Sequence, residues 1–133
     1  MEFILDTNIC IYLIKKKPVQ VFDKFKGLTL GSVGISSITL AELQYGIKKS
    51  AQPDKNQTAL DQFLLPLEIV DFDTDAAIEY GKIRADLEKK GTPIGPLDTL
   101  IAAHVKVMGL ILVTNNEKEF SRINGLKVEN WTK

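Results

Sequence analysis

Phe3-Ile4-Leu5-Asp6-Thr7-Asn8 joins a short apolar run to an acid and to two residue types that often begin helices. Three consecutive apolar residues are typical of a buried strand, and Asp, Thr and Asn favour helix N-caps. The stretch therefore predicts a strand over residues 2–5 that ends at Asp6. A helix should follow over about 8–16 and end before Pro18, because proline disfavours helical geometry in the residue before it.

Further along the chain, short apolar or β-branched runs alternate with amphipathic segments of helical spacing. Strands that are apolar on both faces, separated by helices, are typical of a parallel sheet covered on both sides. We therefore expect an α/β fold in a single domain spanning residues 1–133. The other predicted strands are 34–37, 67–72, 110–113 and 126–129, and the other predicted helices are 19–26, 40–49 (capped by Thr39), 55–65, 74–90, 97–108 and 117–121.

Composition limits the possible partners and compartments. Seventeen basic and seventeen acidic residues leave no net charge, so a broad electrostatic grip on nucleic acid is not expected. Local lysine clusters remain candidates for phosphate contact, although lysines also suit helix carboxyl ends; they are Lys15–Lys17, Lys24 with Lys26, and Lys48–Lys49. Met1-Glu2 followed by three apolar residues does not resemble a signal peptide, and no apolar run is long enough to span a bilayer. We expect a cytoplasmic protein with a packed, reduced Cys10.

Three acids are predicted to lie at one edge of the sheet, where ligands bind in open parallel sheets. Asp6 follows the first strand, Glu42 lies one turn into the helix after Ile35, and Asp98 opens the helix that precedes the Ile111 strand. Each acid also has a purely structural interpretation. Asp6 and Asp98 could serve the amino ends of their helices, and Thr39-Leu40-Ala41-Glu42 matches a capping box.

Convergence of the three acids favours a metal site over three separate caps. Carboxylates held together in a partly dry cleft repel one another, and a divalent cation relieves that repulsion. Hard oxygen ligands favour Mg²⁺ or Mn²⁺, whereas one cysteine and one histidine cannot build a zinc site. His104 follows two alanines on an apolar helix, so we interpret it as a packing residue and not as a general base.

Four motifs, in order and in register over essentially the whole chain, resemble the PIN-domain family. They are Leu5-Asp6-Thr7-Asn8, Ala41-Glu42-Leu43, Pro96-Leu97-Asp98-Thr99-Leu100-Ile101-Ala102-Ala103 and Val113-Thr114-Asn115-Asn116. Within that family the chain is most similar to the VapC toxins of bacterial type II toxin–antitoxin systems. The ending from Phe120 through Gly125 to Trp131 shares this similarity.

The resemblance implies a three-layer α/β/α fold with a five-stranded parallel sheet and an acidic pocket that binds Mg²⁺ or Mn²⁺. It implies endoribonuclease activity, often on transfer RNA, and inhibition by a VapB-type antitoxin through which operator DNA would be reached. Asp6, Glu42 and Asp98 match the family's acids. Many PIN domains carry a fourth acid where this chain has Asn116, and Glu119, one turn onward, is our candidate for that charge. Second-layer candidates that would orient the carboxylates are Thr7, Asn8, Thr114, Asn115 and Asn116.

Two other functional interpretations and one assembly hypothesis accompany this one. A phosphoryl-transfer receiver domain would need two adjacent acids after the first strand, and only Asp6 is present there. An inert PIN fold that acts as an interaction module is disfavoured by the intact acids. The apolar side chains of helices 55–65 and 74–90 predict a symmetric homodimer, whose antitoxin would place an arginine or lysine among the acids.

Overall fold

Five parallel strands form one sheet at the centre of the molecule, which confirms the predicted fold class. The computed structural model describes residues 1–133, and its strands run in the order β3-β2-β1-β4-β5. In chain order the elements are β1 (Phe3–Leu5), α1 (Thr7–Lys15), α2 (Val19–Lys26), β2 (Val33–Ser36), α3 (Ser37–Lys48), α4 (Pro53–Leu64), β3 (Glu68–Val70), α5 (Thr74–Lys89), α6 (Pro96–Met108), β4 (Ile111–Val113), α7 (Glu117–Phe120) and β5 (Lys127–Glu129).

Helices cover both faces of the sheet, so the three-layer prediction is also confirmed. Side chains alternate across strand β1: Phe3 and Leu5 enter one apolar core, and Ile4 enters the other. The first core receives buried side chains from α1 to α4, and the second receives them from α5 and α6. Both faces of β1 are therefore dry, which fixes its register between β2 and β4. None of the helices is long and apolar enough to cross a membrane.

Helix α3 begins earlier than the sequence predicts, and the predicted capping box is wrong. Ser36 is the N-cap, and its hydroxyl accepts the backbone N–H of Ile38 at 3.1 Å. Thr39 lies inside the helix with its buried hydroxyl unpaired. Because the cap lies three residues earlier, Glu42 is too far along the helix to reach back to a cap amide. Its carboxylate is consequently available for another contact.

The carboxyl terminus folds back onto the first strand. The ring of Trp131 meets that of Phe3 edge to face, with centroids 5.4 Å apart, and only 4% of Trp131 is exposed. Its indole N–H donates to the Glu129 carboxylate at 2.8 Å. The last residues therefore support the strand that leads to Asp6.

Candidate active site

Asp6 stands at the carboxyl end of the central strand and begins helix α1. Its carboxylate accepts the backbone N–H of Ile9 at 2.9 Å, and only 5% of the residue is exposed. The pKa of Asp6 is raised to about 6, chiefly by burial and also by the nearby charges of Asp98 and Glu42, while hydrogen bonds from Thr114 and Ile9 oppose the shift. Asp6 thus caps a helix and also belongs to a group of acids.

Glu42 reaches the same edge from helix α3. Its Oε1 accepts a hydrogen bond from the Thr7 hydroxyl at 2.7 Å, across 35 residues of sequence. This bond joins the first turn of α1 to the middle of α3. Thr7, predicted as an orienting residue, therefore holds one oxygen of Glu42 and leaves the other free.

Asp98 lies in the first turn of helix α6 and is half-buried. Burial raises its pKa, and the charges of Glu42 and Glu119 raise it further. The turn is anchored by the Thr99 hydroxyl, which donates to the Gly95 carbonyl at 2.8 Å. Glu42 raises the pKa of both Asp98 and Asp6, and Asp98 also raises that of Asp6. Asp98 therefore belongs to the same group of acids as Asp6.

Glu119 and Glu117 have opposite surroundings, although both lie on the short helix α7. Glu117 pairs with Lys133 at 2.8 Å and accepts from the Asn130 amide at 3.0 Å, which lowers its pKa. Glu119 makes neither contact and acts on Asp98. We call Asp6, Glu42, Asp98 and Glu119 the acid cluster. None of its four members forms an ion pair with a lysine, arginine or histidine.

The predicted orienting residues differ in what they contact. Thr114 is fully buried, hydrogen-bonds Asp6, and accepts the backbone N–H of Asn116 at 2.9 Å. Asn115 donates to the Tyr12 hydroxyl at 2.8 Å, which ties the end of β4 to α1. Asn8 is exposed and its side chain makes no hydrogen bond. The sequence did not predict the contact of Tyr12, because its partner lies 103 residues away.

His104 is a buried packing residue, as the sequence interpretation held. It is 1% exposed, packs edge to face against Phe72 at 5.4 Å, and its Nδ1 lies 2.9 Å from the Ser36 hydroxyl. Burial lowers its pKa. Since Ser36 caps α3 and His104 lies on α6, this contact sets the spacing between the helices that carry Glu42 and Asp98.

The acid cluster has the donor chemistry of a site for a hard divalent cation. Its ligands would be carboxylate oxygens, which such cations prefer. The pKa values of Asp6 and Asp98 are raised, and no basic side chain pairs with any of the four acids. No three of the carboxylates stand close enough together to form a finished coordination sphere. A cation would therefore have to draw the flexible, half-exposed side chains of Glu42 and Glu119 inward.

Comparison with known proteins agrees with this geometry. Residues 3–126 match the model of the PIN domain family. The chain is 49% identical over 131 residues to the tRNA(fMet)-specific endonuclease VapC of Salmonella typhimurium, covering 98% of each chain. It is 48% identical over 134 residues to ribonuclease VapC2 of Rickettsia felis, covering both chains fully.

Solved structures give the same result. The DNA-bound VapBC of Salmonella typhimurium superposes with a TM-score of 0.93 at 49% identity, covering 98% of both chains. VapBC2 of Rickettsia felis, bound to a promoter DNA fragment, superposes with a TM-score of 0.89 at 47% identity, covering 98% of this chain and 99% of that one. PIN-domain ribonucleases generally depend on a divalent metal. These matches span the fold and all four acids, and the receiver alternative has no support, so the chain belongs to the PIN-domain family as a ribonuclease of the VapC group.

Proposed function

We propose that this chain hydrolyses a phosphodiester bond of transfer RNA at the acid cluster, with Mg²⁺ or Mn²⁺ held by Asp6, Glu42 and Asp98. The observation that carries the proposal is a set of four converging carboxylates without a cationic partner, one of them with its pKa raised to about 6. A protein keeps such repulsion mainly where a function uses it. The transfer RNA substrate is inferred from the Salmonella relative, which is a tRNA(fMet)-specific endonuclease.

Each acid of the proposed site is held by a different part of the chain. The Ile9 N–H holds the Asp6 carboxylate at 2.9 Å, and the Thr114 hydroxyl lowers the pKa of that carboxyl. The Thr7 hydroxyl donates to one oxygen of Glu42. The other oxygen is then available to a cation bound beside the substrate phosphate. A divalent cation bound here would lower the pKa of a water molecule and offset charge on the phosphate.

The test is cleavage of a transfer RNA transcript by protein purified free of any antitoxin. We expect cleavage with Mg²⁺ or Mn²⁺, none with a chelator, and a loss of about 100-fold or more in Asp98→Asn, because a metal ligand contributes several kcal/mol to the barrier. Glu117→Gln is the matched control, since Glu117 faces Lys133 and not the cluster. Full activity of Asp98→Asn would refute the assignment.

Glu119 is proposed as the fourth acid of the site. We expect Glu119→Gln to raise the metal concentration needed for half-maximal cleavage, because it removes a charge that acts on Asp98. Glu117→Gln should leave that concentration unchanged. Equal behaviour of the two variants would leave three carboxylates at the site.

We further propose that a VapB-type antitoxin silences the single-domain toxin, since both neighbouring structures are VapBC complexes bound to DNA. An arginine or lysine of that partner would replace the cation in the cluster, and the partner would make the contact with operator DNA. The toxin would act in the cytoplasm as a homodimer through the faces of α4 and α5. Leu65, just after α4, is 83% exposed, and Ile78 on α5 is 56% exposed. Light scattering at micromolar concentration tests the dimer.

A further inference from the structure

Helix α3 carries an exposed row of side chains that begins at Glu42. Tyr45 and Lys49 follow it at spacings of three and four residues, so the three side chains share one face of the helix. The row extends about 10 Å away from the acid cluster, at 1.5 Å per residue. Tyr45 is 66% exposed.

The ring of Tyr45 has almost no partner within the chain. Its hydroxyl makes no hydrogen bond, and the Lys49 ammonium lies over its ring, 4.8 Å from the ring centroid. That contact covers one face of the ring and brings a cation beside it. An isolated exposed aromatic residue needs no explanation, but this one is coupled to a cation and continues a row that starts at a site acid.

A cleft of about 400 Å³ lies alongside this row. Glu42 and Gly46 line it on one side, Lys15 closes it from α1, and Asn56 lies on its α4 wall. A Cβ added at Gly46 would meet nothing within 4 Å, so open space surrounds that part of α3. Lys15 thus lines the cleft together with Glu42, and Lys49 lies further along α3 in the row.

We propose that Tyr45 stacks on a base of the RNA substrate next to the scissile phosphate, while Lys49 holds the adjoining RNA backbone. The inference rests on the proposed function. When one phosphate of an RNA strand occupies the acid cluster, the rest of the strand must cross a neighbouring surface. The row offers an aromatic face beside a cation, and this combination binds single-stranded nucleic acid. The ammonium groups of Lys15 and Lys49 complement an anionic phosphate backbone. This charge favours RNA as the ligand over an apolar protein segment with few acidic residues. Tyr45 and Lys49 are binding residues and take no part in the chemistry.

The test separates binding from cleavage. In wild-type background, Tyr45→Ala should raise KM for a transfer RNA transcript by about 5- to 100-fold with kcat nearly unchanged. In the Asp6→Asn background, where cleavage is expected to be slow, the same substitution should weaken binding of the fluorescein-labelled transcript by a similar factor. Tyr45→Trp should restore both values, because tryptophan also offers a stacking face.

Lysine variants provide the matched control. Lys49→Ala should weaken binding and reduce the slope of log affinity against log salt by about 0.7, the value for one phosphate contact on a single strand. Lys90→Ala removes an ammonium that lies outside the candidate lysine clusters and pairs with Asp86 at 3.0 Å, and it should change neither quantity.

Two results would overturn the inference. If wild type cleaves RNA and Tyr45→Ala keeps the parent's KM and binding, the stacking contact is wrong and the proposed function stands. If Tyr45→Ala changes only the mass measured by light scattering, the row is a contact between two copies of the chain. Failure of wild type itself to cleave any RNA, with tight binding still lost in Tyr45→Ala, would reject the nuclease proposal alone.

Discussion

Asp6 and Asp73 make the same local contact and have different surroundings. Both follow a strand and cap the next helix, and each accepts the backbone N–H three residues ahead at 2.9 Å, from Ile9 and Ala76 respectively. Asp73 follows β3 at the edge of the sheet and is exposed. Asp6 follows the central strand β1, is 5% exposed, and faces other acids.

We attribute this difference in surroundings to strand position, because the capping bond is the same at both aspartates. β1 has neighbours on both sides, so its carboxyl end is surrounded by the ends of β2 and β4 and by the helices that follow or precede them. β3 has a neighbour on one side only. A cap at a sheet edge stays solvated, whereas a cap at the centre is enclosed and gathers charge.

The largest expected effect comes from replacing each aspartate by its amide. Asn caps a helix about as well as Asp, so both variants should fold. Asp6→Asn should lower metal-dependent kcat by about 10²- to 10⁴-fold, because it removes a metal ligand. Asp73→Asn should stay within about twofold of wild type. Steady-state cleavage of a transfer RNA transcript measures both, and an active Asp6→Asn would remove the distinction between the two caps.

The second effect is that the stability of the protein should depend on pH through Asp6. Asp73→Asn should leave this dependence unchanged. The pKa of Asp6 rises from 3.8 to about 6 in the folded protein, so the folded state binds more protons between those values. Stability of the metal-free protein should therefore fall as pH rises from about 4 to 6, by about 3 kcal/mol from this group.

Urea unfolding of chelator-treated protein at several pH values measures this fall. Asp6→Asn should remove most of it and should be more stable than wild type at pH 7, while Asp73→Asn should retain it. An unchanged pH slope in Asp6→Asn would show that burial does not penalise the charged carboxylate.

A smaller effect is expected from Thr7→Val, which removes the hydrogen bond to Glu42. Residues that orient metal ligands typically change activity or metal affinity by about 10- to 100-fold. We expect the metal concentration for half-maximal cleavage to rise accordingly. Thr58→Val is the control, because the Thr58 hydroxyl bonds only to the Asp54 carbonyl in its own helix. Matching results for the two variants would mean that the Thr7 contact does not position Glu42.

The smallest effect should come from Asp73→Ala. Loss of the N-cap bond to Ala76 should lower the free energy of unfolding by about 1 kcal/mol. Cleavage should not change, since Asp73 lies outside the acid cluster. Thermal unfolding and a parallel activity assay would show whether Asp73 is only a cap; a loss of activity without a loss of stability would contradict it.

The sequence was sufficient for the sheet because the sheet follows from local rules: apolar strands such as Phe3–Leu5 are buried on both faces. The roles of Asp6, Glu42 and Asp98 stay predictions, based on the edge of the sheet at which ligands bind. Element boundaries were less accurate. The start of α3 was placed at Thr39 because Thr and Ser are both good caps, and only the strand pairing of Ser36 with Val70 decides between them.

Contacts between distant side chains were beyond the reach of sequence patterns. The Asn115–Tyr12 bond and the Ser36–His104 contact join residues 103 and 68 positions apart, and no periodicity indicates either. Asn8 shows the opposite case. Its residue type suits an orienting role, but the first turn of α1 directs it to solvent. The identity of a residue constrains its chemistry, and its rotation about the helix axis determines whether that chemistry is used.

Trp131 is the only tryptophan in the chain, so its packing against Phe3 provides an optical reporter. Indole emission shifts to longer wavelength in water, and here it reports whether the carboxyl terminus remains seated on strand β1. The signal should change on unfolding but not on metal binding, which separates loss of fold from loss of ligand in a single cuvette. An affinity tag placed after Lys133 adjoins this contact, so a tag at the other end or a cleavable one is preferable.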